Sequence, residues 1–515
     1  MAARFWVAGG NGLWSSTTNW AATSGGASGA SVPGSADTAT FDVVSGTGTA
    51  TVDSNITIQT LSIGSFTGTL AFGTNSISLN GTGTVYSSGA NPTITGTPVI
   101  NITSTGSTAI TVTIGNIAAA NAISFNFTGG TYALTFLNAV NHKANNVNFT
   151  GFSGTWGATA SVAIYGNLTL SSTMTLTASA GPMMFGATSG TWSITTNGKT
   201  IDFPITINGV GGTWQLADAL TMGSTKAFTH TNGTLDLNGK TLTVGTTYQT
   251  AGTAAKSLIF NGGTLVCPGT TNSFNNTNST GFVTTAGTGT GKISMTAATA
   301  KTFIGGGSTF NCTLSNDGAG ALIVTGANTF TTIANGVQPT SFLFTAATTT
   351  TVTNWTVSGT SGNLVTIASV TAATHTLSKA SGTVSSNYLS VSYSIATGGA
   401  TWYAGNNSTN GGNNTGWLFS AAPAAYSITA TNGTYALNGQ SVGIARGIVL
   451  SGSYGSYAVT GRNITIAKGN LLLPQNGLYS LAGQTIDISY SGAPPVTGPT
   501  QYFIEIRSFT ESRRI

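Results

Sequence analysis

The sequence predicts an all-β protein, a parallel β-helix (β-solenoid) followed by a small C-terminal β-repeat module. Three observations predict it: a Thr- and Gly-rich, weakly charged composition, a recurring Gly-Thr-aromatic mark, and a 22-residue repeat near the C-terminus. Of 515 residues, 96 are Thr and 71 are Gly, and charged residues make up 5%, against roughly 25% in an average soluble protein. Ser, Thr, Asn and Gly must therefore solvate the surface. Disorder is excluded by 40% hydrophobic residues and only 12 Pro. Gly has no three-residue period, which excludes collagen. Strong helix formers give way to Thr, Val, Ile and Gly, which excludes a mainly helical fold.

Residues 1–60 read as an N-terminal capping segment. A solenoid must cover its first coil, and Trp6, Trp14 and Trp20 are bulky enough to act as lids. Residues 61–420 read as the solenoid. Gly130-Thr131-Tyr132, Gly154-Thr155-Trp156, Gly190-Thr191-Trp192, Gly212-Thr213-Trp214, Gly233-Thr234-Leu235 and Gly263-Thr264-Leu265 follow one another at spacings of 24, 36, 22, 21 and 30. Between them lie alternating runs such as Leu235-Asp236-Leu237 and Leu242-Thr243-Val244, the pattern of a strand with one buried face. Asn197-Gly198, Asn208-Gly209 and Asn238-Gly239 tolerate positive φ and are read as corners. About sixteen coils of roughly 22 residues, stacked about 4.8 Å apart, give a rod of about 75 Å. Cys267 and Cys312, 45 residues apart, then stand about two coils apart, beyond the roughly 7 Å a disulfide spans. Free thiols are expected. Trp156, Trp192 and Trp214 share one phase of the repeat, so a core or corner stack is favoured over sugar-binding platforms. Trp402, Tyr403 and Trp417 are expected to seal the last coil.

A link at 420–425 leads to residues 426–492, the C-terminal repeats. There Gly433-Thr434-Tyr435 returns as Gly455-Ser456-Tyr457 and Gly477-Leu478-Tyr479, at offsets of 22. Tyr435, Tyr457 and Tyr479 form a ladder for which packing is the default and contact with a partner subunit the sharper alternative. Residues 493–515 form an extended tail. Pro494, Pro495 and Pro499 lead into the alternating run Tyr502-Phe503-Ile504-Glu505-Ile506, one last strand that docks on this chain or on a neighbour.

The opening, with Phe5-Trp6-Val7, Gly12-Leu13-Trp14, Asn19-Trp20, Val32-Pro33-Gly34, Asp37 and Phe41-Asp42, resembles the first segment of autotransporter-like β-helix adhesins and of many phage virion proteins. A second block, Asn387-Tyr388-Leu389-Ser390-Val391, 396–399, Trp402-Tyr403-Ala404-Gly405 and Asn413-Asn414-Thr415-Gly416-Trp417, resembles the closing block of β-helix regions in phage structural proteins. The Tyr-containing repeats downstream resemble modules of phage fibres and appendages. The resemblance implies a virion appendage or surface protein, commonly a homotrimer, with other virion proteins and a host glycan or receptor as partners. Two features depart from the autotransporters: no apolar signal segment follows Met1, and no C-terminal membrane barrel is recognisable. A protein made in the host cytoplasm and incorporated into virions fits both.

The net charge of +5 reflects few acids rather than many bases. Nine of the fifteen cations, Lys143, Lys199 and Lys240 among them, are thinly spread over 1–425, and six fall in the last ninety residues, ending in Arg513 and Arg514. No Lys/Arg cluster suits nucleic acid, and no run of eighteen apolar residues suits membrane insertion. His142, His230 and His375 stand alone, without metal-ligand spacing. Glycoside hydrolysis needs two facing carboxylates. Glu505 and Glu511 lie in the tail, and within the solenoid the acids are Asp202, Asp218, Asp236 and Asp317, with Asp37, Asp42 and Asp53 near the start. Asp202 with Asp218, or Asp218 with Asp236, could face each other on adjacent coils, but turn and cap roles are the commoner use of such residues. No Gly-x-Ser-x-Gly elbow occurs in a strand-to-helix setting. The expectation is a non-enzymatic virion structural protein (tail fibre, tailspike-like or head-surface fibre) with no catalytic, cofactor-binding or metal residues. A polysaccharide-depolymerising tailspike and a bacterial surface adhesin or filament subunit are the alternatives.

Overall fold

The computed structural model describes residues 2–89, 92–115, 122–137, 143–157 and 161–422, and, beyond these, the backbone of strands between 427 and 507. The chain divides into two compact units, Met1–Ala421 and Ala422–Ile515. The first unit is all-β, with a single 3-10 turn at Thr17–Asn19 among its described residues. It winds as a parallel β-solenoid of about sixteen turns.

Three strand ladders run along the solenoid. One face begins with Ala3–Trp6 and continues through Thr38–Phe41, Thr60–Ile63, Gly83–Ser88, Ile110–Thr113, Ala133–Leu137, Thr155–Gly157 and Thr175–Leu176. A second, the longest, runs from Ile56–Ile58 to Thr409–Asn410. A third set, Gly12–Leu13 to Thr93–Thr95, lies beside these two over the first coils, and the strands from Thr200–Ile201 to Ser394–Thr397 take up the first face, where the Ser179 N–H donates to the Asp202 carbonyl at 2.9 Å. Neighbouring strands pair in parallel because each is one coil further along the same winding. Alternation decides what faces inward. In Ser76–Leu79, Ile77 and Leu79 are buried; they sit in register beneath Ile100 and Ile102, which in turn meet Phe125 and Phe127. Every coil thus closes the apolar floor of the next, at roughly 1.5–3 kcal/mol per fully buried large side chain. Aromatic rings form columns by the same logic: Tyr248 stacks on Phe274 at 5.4 Å and Phe274 on Phe303 at 4.5 Å.

Both ends of this unit are closed by tryptophans. Trp6, Trp14 and Trp20 are buried and pack edge-on, with Trp6–Trp20 at 5.3 Å and Trp14–Trp20 at 4.8 Å. Phe41 below them passes the contact on to Phe66 at 5.2 Å. Strand Trp20–Ala21 runs antiparallel to Ala3–Trp6, so the outer edge of the first ladder meets a reversed strand. At the other end Trp402 and Trp417 pair in register with rings 5.2 Å apart, Trp355 packs beside them, and Tyr403 is half-buried.

Two details of the repeat differ from the expectation. Trp192, Trp214 and Leu235 align in register on the long ladder, but Trp156 belongs to the first face, between Leu134 and Leu176. The tripeptide signals a turn entering a strand, and every face has such turns. Likewise Asn197-Gly198 and Asn238-Gly239 are corners with positive φ at both residues. Asn208-Gly209 instead lies inside strand Ile205–Leu216 at a register shift. There Asn232 Nδ2 donates to Asn208 Oδ1 across coils at 2.7 Å.

In the second unit, Gly433–Ile444, Gly455–Ile466 and Gly477–Ala482 with Thr485–Ile488 stack in parallel. Tyr435, Tyr457 and Tyr479 occupy one register column. Ser427–Ala430, Val449–Gly452 and Leu471–Pro474 form a second sheet. The tail strand, Ile504–Arg507, pairs with Gly477–Ala482 of this same chain. His142, Pro494, Pro495, Pro499, Tyr502, Phe503, Glu511, Arg513 and Arg514 lie outside the described residues.

Candidate functional site

The carboxylates are the first residues to locate, because any hydrolytic chemistry would need them. Asp218 Oδ1 and Oδ2 accept the backbone N–H groups of Thr196 and Asn197 at 2.8 and 2.6 Å. It therefore pins the 196–198 corner of the preceding coil. Asp236 Oδ1 accepts from the Asn238 N–H at 2.8 Å and from Asn261 Nδ2 at 2.9 Å, while its Oδ2 accepts from Gln215 at 3.0 Å. Asp202 lies 3.8 Å from Lys226 Nζ. Asp317 lies 2.6 Å from Lys292 Nζ and accepts from Ser294 and Ser315 Oγ. Burial opposes its ionisation, but the Lys292, Ser294 and Ser315 hydrogen bonds and the Lys292 charge outweigh that and hold the carboxyl below the usual range. Near the start, the Gly34 N–H leads in holding Asp37 low; Asp53 is held low, against burial, by Ser15. Asp42 accepts from Ser24 and Ser45. These partners tie corners and coils together. A general acid needs its pKa raised toward the working pH, and the shifts resolved for Asp37, Asp53 and Asp317 run the other way.

The interior holds cations and histidines that sequence spacing did not single out as structural. Lys301 is fully buried, and its Nζ donates to the carbonyls of Ala297, Gly318 and Gly320 at 2.8, 3.2 and 2.8 Å. Burial lowers its pKa to about 8, against the pull of Asp317. Lys256 repeats the device on Gly252 and Thr280. Their only sequence signal is a Lys closing an Ala-rich turn, Ala254-Ala255-Lys256 and Thr299-Ala300-Lys301. His230 accepts from Tyr248 Oη through Nδ1 at 2.7 Å and donates through Nε2 to the Gly233 carbonyl at 3.0 Å. His375 donates from Nδ1 to Ser369 Oγ, which hands its proton on to the Tyr393 carbonyl. Its Nε2 accepts from Ser394 Oγ, which in turn accepts from Trp417 Nε1 at 3.0 Å. Burial drives both histidines down to about 4, so both are neutral at pH 7. Cys267 and Cys312 are buried free thiols whose pKa values burial raises. Among the described residues no group of three His, Cys, Asp or Glu could hold a metal ion, and no helix is long and apolar enough to cross a membrane.

One concave surface stands out from this hydrogen-bonded skin. An open groove of about 570 Å³ crosses three successive coils where strands Leu220–Met222, Thr241–Thr243 and Thr264–Cys267 end. Met222 and Val244 lie buried beneath it, Pro268 is half-buried at its edge, and Ser224, Thr243, Thr246, Thr270 and Thr271 contribute hydroxyls. Sequence reasoning missed it, although a signal exists: Met222-Gly223-Ser224, Val244-Gly245-Thr246 and Pro268-Gly269-Thr270 are one pattern repeated once per coil. Comparison of the chain with family models, with curated proteins and with solved structures gave no match.

Proposed function

We propose that this chain is a structural protein of a phage virion, a rigid, non-enzymatic subunit of a fibre or spike that projects toward the host. The observation that carries the reading is the uninterrupted long ladder, which continues from Ile56–Ile58 to Thr409–Asn410 with tryptophan clusters at both ends of its unit. Such a solenoid has one-dimensional stiffness and hides its main chain in hydrogen bonds, properties a projecting appendage requires. The opening and closing blocks that resemble those of phage proteins add the context. In this reading the subunits form homotrimers, the partners are other virion proteins and a host surface glycan or receptor, and the carboxylates serve as corner ties. Nucleic acid and membrane insertion play no part.

Immunogold electron microscopy with antibody to residues 61–420, on particles purified from a lysate, tests it. Label on a head or tail appendage, with no halo when purified protein is spotted on the host lawn, is the expected result. Label on the bacterial envelope alone contradicts the proposal. So does a halo that disappears in Asp202→Ala or Asp218→Ala protein.

A further inference from the structure

We infer that the outer surface of the long ladder is the face through which copies of this chain pack side by side. Among the described residues, charge is divided unevenly around the solenoid. In or directly beside the strands of the long ladder, the charged residues are Lys143, Asp236, Lys256 and Lys301. Asp236, Lys256 and Lys301 are buried, so Lys143 alone reaches solvent. The first face is the opposite. Lys199, Asp202, Lys240, Lys292, Asp317 and Lys379 lie in or directly beside its strands from Thr200–Ile201 to Ser394–Thr397, and all six are at least partly exposed. A surface that stays in water keeps charge of both signs for solubility, whereas loss of charge marks the centre of a protein interface.

The uncharged face also turns apolar side chains outward. Ile323, Leu343 and Ala368 occupy one outward column in register on successive coils, each half-buried. Ile304 on the coil before and Val370, which is 48% exposed, extend them into a strip across four coils. Phe303, Val324, Phe342 and Ile367 of the same strands already fill the core beneath, so the strip is surplus to it. Area and spacing select the occupant. About sixteen coils, about 4.8 Å apart, with strands of about four residues, make a face of about 75 Å by 13 Å, on the order of 1,000 Å². A stable interface takes about 800 Å² from each partner. The ridges of the face recur at the coil spacing, and only a partner wound at that spacing stays in step with them over many coils. A second copy is such a partner; a compact globular protein would meet a few coils only. Packing of this kind supplies the contact face of the homotrimer in the proposed function and rests on that part of the reading alone.

Sedimentation equilibrium of the purified full-length protein tests it. The unaltered chain should be an oligomer at micromolar concentration. Ile323→Glu/Leu343→Glu protein, with two charges set on the strip, should dissociate with a Kd raised at least tenfold and an unchanged far-ultraviolet circular dichroism spectrum. Ile323→Thr/Leu343→Thr, which puts the commonest outward residue of this chain there, should lose at least threefold and serves if the glutamates prevent folding. Thr332→Glu/Thr376→Glu, the same charges at outward positions of the first face, should leave the mass unchanged. An oligomer that ignores both alterations of the strip, or that the first-face glutamates dissociate as readily, overturns the inference and leaves the homotrimer standing. A chain that is monomeric at micromolar concentration overturns the inference and the homotrimer together, while the microscopy still decides the virion assignment.

Discussion

Trp192 and Trp214 lie side by side in register on neighbouring coils, 22 residues apart in the chain. Their environments nevertheless differ. Trp214 is fully buried between Trp192 and Leu235 and packs on Phe185 at 4.7 Å. Below Trp192 the strand is only Leu168–Thr169, which pairs with Ile194 and Thr195 and stops short of the indole. Trp192 is accordingly half-buried, and its Nε1 donates to the Ser189 carbonyl. Trp214→Ala should cost about 3–5 kcal/mol, the range for a large aromatic removed from a packed core. Trp192→Ala should cost less than half as much. Urea unfolding midpoints compare the two.

The buried ammonium of Lys301 gives a sharper expectation. Lys301→Met keeps the bulk and removes a donor shared by three carbonyls, of which Gly318 and Gly320 keep Thr340 Oγ1 and Ala297 loses its side-chain partner. Leaving the Ala297 acceptor unsatisfied should cost about 1–3 kcal/mol, even though the variant is more apolar. Thermal unfolding checks it; a stabilised Lys301→Met protein would show that the carbonyls find water instead.

Acid should loosen the solenoid in a defined window. The folded pKa of about 4 for His230 and His375 lies below the ordinary value of 6.5. The unfolded chain therefore takes up protons first as pH falls. Stability from these groups is complete above about pH 6.5 and is lost progressively toward pH 4, by about 3 kcal/mol for each. The depressed carboxyls of Asp37, Asp53 and Asp317 contribute in a separate window, below about pH 4. Protonated His375 can no longer accept from Ser394, which anchors the Trp417 indole. Tryptophan fluorescence during denaturant unfolding at several pH values reports the slope, and His375→Gln should flatten it.

Cys267 and Cys312 should be silent toward an aromatic disulfide reagent in the folded protein and react fully in denaturant, since both are buried with raised pKa. Partial native reactivity would mean that the coils carrying Met295 and Phe310 open readily.

The architecture was legible because period and composition act on every coil at once. Alternation such as Leu242-Thr243-Val244 fixes which side chains enter, and the Trp clusters at 6–20 and 402–417 mark where stacking must stop. Face assignment was less legible. The Gly154-Thr155-Trp156 mark looks like Gly190-Thr191-Trp192, yet the two sit on different ladders because only the number of residues between turns sets the face. The tight corners escaped for a related reason: Gly245 and Gly269 look like turn glycines, and only the carbonyls of Gly223 and Thr246 on the adjacent coils reveal that space selected them. Buried Lys256 and Lys301 were hidden too, since a lysine is ordinarily a solvated residue.

Winding in which each turn lies directly on the last is best tested by a disulfide between Thr191 and Thr213, outward positions in register on adjacent coils. Neighbouring strands stand about 4.8 Å apart, within reach of the bond. Thr191→Cys/Thr213→Cys protein should cross-link fully under mild oxidation and gain stability, while Thr191→Cys/Thr234→Cys, two coils apart, should stay reduced. Cross-linking of the distant pair, with free thiols at 191 and 213, would contradict the solenoid.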